Sequence, residues 1–171
     1  MARQKALKYP KAKAVDNREE IQRFSIMDTP GYLFRQLQIR GSACFAAVVG
    51  VDGYTPQQFM VMLTLLQNGA MTLTDLANIV KMDRSTLGEM VHRLTVRGLI
   101  QRNSVPSDRR SIEVEITDAG REAVSDTLPQ VQKAQDDMLG PLPEEYRPLF
   151  MKCLKLIAEA EMPKIGQQAR Y

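Results

Sequence analysis

Between Thr72 and Gly120 two short apolar periodicities flank a three-residue break, and a β-like stretch then turns back on itself around a basic tip. The first periodicity, Thr72 to Val80, opens on a Thr-x-x-Asp start able to satisfy free amide groups, and it sets Leu73, Leu76, Ala77 and Val80 on one face. After Lys81 and Met82, Asp83 is a good N-cap for a second helix in which Leu87, Met90, Val91 and Leu94 recur at i, i+3, i+4 and i+7. That stripe leaves Ser85, Thr86, Glu89 and Arg93 for something outside the core. Two short helices across so tight a break fit a helix-turn-helix, whose second helix enters the major groove of DNA.

The next segment fits a β-hairpin wing. Arg97-Gly98-Leu99-Ile100 supplies glycine where a helix end wants a left-handed residue, and Leu99 to Asn103 and Ser111 to Ile116 read as strands around Pro106-Ser107-Asp108-Arg109-Arg110. Ile112, Val114 and Ile116 are expected to share one strand face, with Glu113 and Glu115 on the other. Arg109 and Arg110 suit a phosphate backbone or a narrow minor groove.

Gly98-Leu99-Ile100, the Asp108-Arg109-Arg110 tip and Ile116-Thr117-Asp118-Ala119-Gly120 resemble the MarR family of winged helix-turn-helix regulators, whose wing carries Asp-x-Arg followed by Leu/Ile-Thr-x-x-Gly. A looser likeness covers residues 30 to 165 through the order long helix, helix-turn-helix, wing, two long helices. Thr29-Pro30-Gly31-Tyr32-Leu33 and the Arg/Gln-rich helix after it are similar to the family's regulators of hydroxycinnamate and benzoate catabolism, which respond to aromatic acyl-coenzyme A thioesters. The resemblance implies a mainly α fold with a small β-wing, in a triangular two-fold dimer joined through its N- and C-terminal helices.

The flanking segments supply those helices. Thr29-Pro30 opens one that runs to about Val49, before Gly50, Asp52 and Gly53, and Thr55-Pro56-Gln57-Gln58 opens the next with a capping box. Thr117-Asp118 starts a long helix expected to be interrupted at Pro129, and a last helix is expected from about Pro148 to Met162 after a separate turn at 143 to 147. The resulting division is a basic arm and lead-in at 1–28, dimerisation helices at 29–54 and 117–171, and a winged helix-turn-helix at 55–116. Apolar stripes left exposed on terminal helices of a small chain want a second copy, which a pseudo-palindromic double-stranded operator would also match.

With 44% hydrophobic residues, the 171-residue chain can bury one core or share one with a second copy. No apolar run reaches the ~18 residues of a membrane span, and the basic start lacks the apolar centre of a signal peptide. Cys44 and Cys153 lie in helical apolar surroundings, so a reducing, cytoplasmic setting is expected. By segment the net charge is +5 for residues 1–15, −2 for 16–80, +4 for 81–110 and −4 for 111–171, so the positive charge lies on the arm and the proposed reading head.

Side-chain chemistry assigns roles to the reading residues. Ser85 and Thr86 can bond phosphates or base edges, Glu89 can accept from cytosine N4, and Arg84 or Arg93 can address guanine or phosphate. The competing reading of Glu89 and Arg93 is an i, i+4 surface ion pair. Asp108 suits orienting an arginine better than facing phosphates. His92, the single histidine, fits a phosphate contact or an idle surface position better than a pH switch.

On the first long helix Leu33, Leu37, Arg40, Cys44 and Ala47 share a stripe, and the cation in it wants an anion: a ligand's carboxylate or phosphate, an acidic residue of a partner subunit, or solvent. Phe34, Leu37, Arg40, Cys44, Phe59 and Met62 are the candidate contacts for an aromatic effector, although a Met-rich stripe also suits plain core. Some MarR-like regulators release DNA when a helix cysteine is oxidised, which makes Cys44 beside Arg40 the alternative sensor. A non-specific architectural binder would suit the basic arm but not the capped helices and mixed reading face.

Glycine-rich phosphate loops, cysteine pairs at metal spacing and nucleophile elbows are absent, so neither enzyme, metal site nor cofactor is expected. The expected function is a homodimeric repressor of aromatic-acid catabolic genes, released from its operator by an aromatic acyl-coenzyme A or aromatic acid.

Overall fold

The computed structural model describes residues 18–50, 53–105 and 108–161, without the side chains of 105 and 108–111. The basic arm at 1–17 lies outside these residues. The chain divides into two compact units, Met1–Gln38 and Ile39–Tyr171.

In the first unit, α1 (Arg18–Arg23) forms a short helix inside the stretch read from sequence as a lead-in. A 3-10 turn at Ile26–Asp28 follows, and its chain is caught by Thr29, whose hydroxyl donates to the Ile26 carbonyl at 2.7 Å and accepts from the Tyr32 amide at 3.4 Å. This launches α2 (Pro30–Val49), with proline at the position where a missing amide proton costs nothing. Ile21, Phe24, Ile26 and Met27 are exposed.

The second unit contains the rest of α2, then α3 (Pro56–Asn68), β1 (Met71–Thr72), α4 (Leu73–Val80), α5 (Arg84–Val96), β2 (Ile100–Val105), β3 (Asp108–Ile116), α6 (Asp118–Leu139), a 3-10 turn at Glu144–Tyr146 and α7 (Arg147–Glu159). The capping box at Thr55 forms in both directions, with the Gln58 amide donating to the Thr55 hydroxyl at 3.2 Å and the Thr55 amide to Gln58 Oε1 at 3.0 Å. The sequence stripes become one core, in which Met62 and Leu65 of α3, Leu76 of α4, Leu87, Val91 and Leu94 of α5, Ile100, Val114 and Val124 are all but fully buried. Each such side chain contributes about 1.5 to 3 kcal/mol of burial, which holds α5 in one rotational setting.

The three strands form an antiparallel sheet in the order β1-β3-β2, with Ile100 opposite Ile116 and Arg102 opposite Val114. β1 was not foreseen, because two residues directly before a helix carry no strand period. Ile112 departs from expectation: it is 52% exposed while Val114 and Ile116 are buried, since the hairpin projects past the helices that cover its root. Pro129 does not interrupt α6. It and Ser125, whose carbonyl loses its partner, are both exposed, so water can replace the missing bond.

The wing is fastened to α6 at one junction. Gly98 at φ +72° ends α5, with the Leu99 amide reaching the Leu94 carbonyl (3.0 Å) and the Gly98 amide reaching that of Thr95 (2.9 Å). Thr117 then donates its amide to the Leu99 carbonyl (3.1 Å) and its hydroxyl to that of Gly98 (2.7 Å), while accepting from the Gly120 amide (3.1 Å). A Cβ on Gly120 would overlap the Leu99 carbonyl oxygen and lie 2.7 Å from Ile116 Cγ1, so the Thr-x-x-Gly spacing is required by close packing. Gly120→Ala is accordingly expected to cost about 1 to 3 kcal/mol in urea unfolding, as overpacked sites do. Unchanged stability would mean that the junction has slack.

Candidate nucleic-acid interface

The break between α4 and α5 is built by an unusual residue. Lys81 adopts φ +54°, a left-handed conformation that costs a non-glycine residue about 1 kcal/mol, and the Met82 amide closes back on the Ala77 carbonyl at 3.2 Å. Asp83 then caps α5: its Oδ1 accepts from the Thr86 amide at 2.9 Å and the Ser85 hydroxyl at 2.7 Å. These bonds from Thr86 and Ser85 hold the Asp83 carboxyl well below the usual carboxylate range. A lowered folded-state value means that the cap's contribution is complete above the ordinary carboxylate pKa and fades only as pH falls through the lower one.

Arg84, Ser85, Thr86, Glu89, His92 and Arg93 are all exposed, while Leu87, Met90, Val91 and Leu94 on the other side are buried. Within that face Ser85 spends its proton on Asp83, leaving its oxygen as an acceptor. Arg84 Nη2 hydrogen-bonds the Thr74 hydroxyl, tying the start of α5 to the start of α4. Glu89 and Arg93 are not joined by an ion pair, so both side chains remain available to a ligand. Arg109 and Arg110 lie at the start of β3 by their backbone, and their side chains fall outside the described residues. Sequence reasoning overlooked Arg102, which lines a groove with Arg84; the strand register that turns it there was not legible without the pairing of β2 with β3.

The candidate effector residues are divided between the two units. Phe34 and Leu37 belong to the first unit, the former exposed and the latter half-buried. In the second unit, Phe59 is 4% exposed and Met62 is fully buried, with the Phe59 ring packed 6.5 Å from that of Phe45, so both are core. Arg40 has found an acceptor absent from the sequence alternatives: Nε donates to the Met138 carbonyl (3.1 Å) and Nη2 to that of Asp137 (2.9 Å). These carbonyls sit in the last turn of α6, where acceptors lack helical partners and the helix dipole is negative. The Asp137 carboxylate is occupied by Lys133 Nζ at 2.6 Å. Cys44 is half-buried against the core, and the cation that would activate it is directed at α6.

Among the described residues no helix is long and apolar enough to cross a membrane. Residues 54–112 match the model of the MarR family. A probable transcriptional regulator from Pseudomonas aeruginosa is 30% identical, with a TM-score of 0.74 over 78% of this chain and 99% of its own. Bordetella bronchiseptica BpsR, whose DNA binding is regulated by 6-hydroxynicotinic acid, is 26% identical with a TM-score of 0.77 over 81% and 99%. The transcriptional repressor CouR, solved on a 23-mer DNA duplex, is 28% identical with a TM-score of 0.71 over 85% and 99%. The chain therefore belongs to the MarR family of winged helix-turn-helix transcriptional regulators, proteins that bind DNA and are not enzymes.

Proposed function

We propose that this protein is a homodimeric repressor that reads a pseudo-palindromic operator and leaves it on binding an aromatic acid or aromatic acyl-coenzyme A. The observation that carries this reading is the capped, exposed polar face of α5, with Glu89 and Arg93 unpaired above a fully buried stripe. Thr86 meets a phosphate or base edge, Ser85 offers its oxygen to a base-edge donor, Glu89 accepts from cytosine N4, Arg93 donates to guanine, His92 touches the backbone, and Arg109 and Arg110 carry the wing into the minor groove. Residues 55–116 form the reading unit and residues 29–54 and 117–171 the dimerisation helices. The exposed Leu149, Leu156 and Ile157 of α7 support the second part. Such a protein works in the cytoplasm, on the chromosome.

An aromatic acid is favoured as the effector because a relative of 26% identity responds to 6-hydroxynicotinic acid. Its carboxylate would compete with neutral carbonyls for Arg40, and a charge-assisted bond is the stronger of the two.

Two expectations test the assignment. Arg93→Ala should change folding stability by no more than about 0.5 kcal/mol, as an unpaired surface side chain does, yet lose about 1 to 3 kcal/mol on the operator and much less on a scrambled duplex. Equal affinity on both duplexes would remove α5 from base reading. For the effector, a thermal-shift series with 6-hydroxynicotinate, benzoate, 4-hydroxycinnamate and their coenzyme A esters should raise the melting temperature for the ligand that binds the native fold. Arg40→Ala should then keep operator affinity but weaken ligand-driven release by about 1.5 to 3 kcal/mol, whereas Cys44→Ser should leave it unchanged. Equal ligand sensitivity in wild type and Arg40→Ala excludes Arg40 as the anchor.

A further inference from the structure

A groove of about 420 Å³ opens between the first turns of α4 and α5 and the root of the wing. Leu73 and Gly88 are among its lining residues, and a Cβ on Gly88 would lie 4.0 Å from Leu73 Cδ2. Arg84 enters from α5, held by its hydrogen bond to Thr74, which also lines the groove. Arg102 enters from the opposite side. It stands two residues beyond the buried Ile100 and directly across from the buried Val114, so the strand period turns it to the helix side of the hairpin, where the hairpin outruns the core. Ile112 stands beside it, open to solvent.

The charge of this groove is one-sided. Its two ionic lining side chains are both guanidinium groups, and the rest are hydroxyls and apolar surface. Glu113 and Glu115 lie on the other face of β3, where Glu115 accepts from Gln101 at 3.1 Å and Asn103 at 3.0 Å. On α4 the Asp75 carboxylate accepts the Thr72 hydroxyl at 2.7 Å within the helix cap. Two arginines brought together from separate elements, with no carboxylate between them, want an anion.

We propose that this groove is a seat for one phosphodiester of the DNA backbone, gripped by Arg84 from the reading helix and Arg102 from the wing. The inference rests on the reading of α5 as the major-groove helix. With that helix in the major groove and the hairpin tip in the neighbouring minor groove, the strand of phosphates that separates the two grooves must cross between α5 and the wing, where the cavity lies. Arg102 is then a backbone-positioning residue: it fixes how far the wing stands from the helix along the DNA and carries no sequence information.

The test uses the full chain and duplexes from a random-pool selection. Arg102→Gln should make the log–log salt slope shallower by about 0.9 on operator and scrambled duplexes alike, so that raising salt from 50 to 200 mM costs the variant about 3.5-fold less affinity than it costs wild type. Arg102→Lys should keep the slope. A methylphosphonate scan of the operator keeps the proposal falsifiable without relying on a variant's folding: wild-type protein should lose affinity on neutralising one phosphate per half-site, and Arg102→Gln should be indifferent to that same phosphate. An unchanged salt slope, or a loss confined to the operator with the slope preserved, would overturn the proposal. If wild-type protein fails to distinguish operator from scrambled DNA, the base-reading role of α5 falls instead, while the salt slope still decides the role of Arg102.

Discussion

The burial of Leu87, Val91 and Leu94 of α5 against α3, α4 and the root of the hairpin is the constraint on which the rest depends. A helix has one rotational freedom about its axis, and three side chains of this size at i, i+4 and i+7 remove it. Once they are in place, Ser85, Thr86, Glu89 and Arg93 can only face outward. A protein that must present a few side chains to base edges with sub-ångström repeatability needs this rigidity beneath its reading surface. The polar face is thus a product of the core, not of its own interactions.

The ends of α5 receive the same treatment by different means. At its start, Asp83 satisfies the Thr86 amide and holds Ser85; at its end, Gly98 reverses the chain and passes it to Thr117 and Gly120. The wing is consequently referenced to α5 through backbone hydrogen bonds and one contact too close for a β-carbon. This junction joins the hairpin that carries Arg102 directly to the end of the helix that carries Arg84.

What was legible in the sequence was whatever local chemistry decides. The caps at Thr55, Thr72, Asp83 and Thr117, the left-handed Gly98 and the apolar stripes all follow from residues within one or two turns of each other. What was not legible depended on distant partners. Ile112 has the period of a buried strand residue, but burial requires a helix above it, and the hairpin projects beyond its cover. Arg40 was recognised as a cation in need of an anion, yet its acceptors lie almost a hundred residues away on a helix end. Arg102 sits in no motif; only the pairing of β2 with β3 aims it at Arg84. Phe59 and Met62 could have lined a pocket or filled a core on periodicity alone, and the packing of α3 decided for the core. The left-handed Lys81 was hidden because side-chain chemistry gives no signal for it.

The central claim is that α5, locked in one orientation by its core stripe, reads DNA in two copies related by two-fold symmetry. Selection of bound sites from a random duplex pool by the full-length protein tests it most directly. Inverted repeats should be enriched, with half-site centres about 10 base pairs, or a small multiple of one helical turn, apart. A selected pool without an inverted repeat, or one no richer in any sequence than the starting pool, would contradict it.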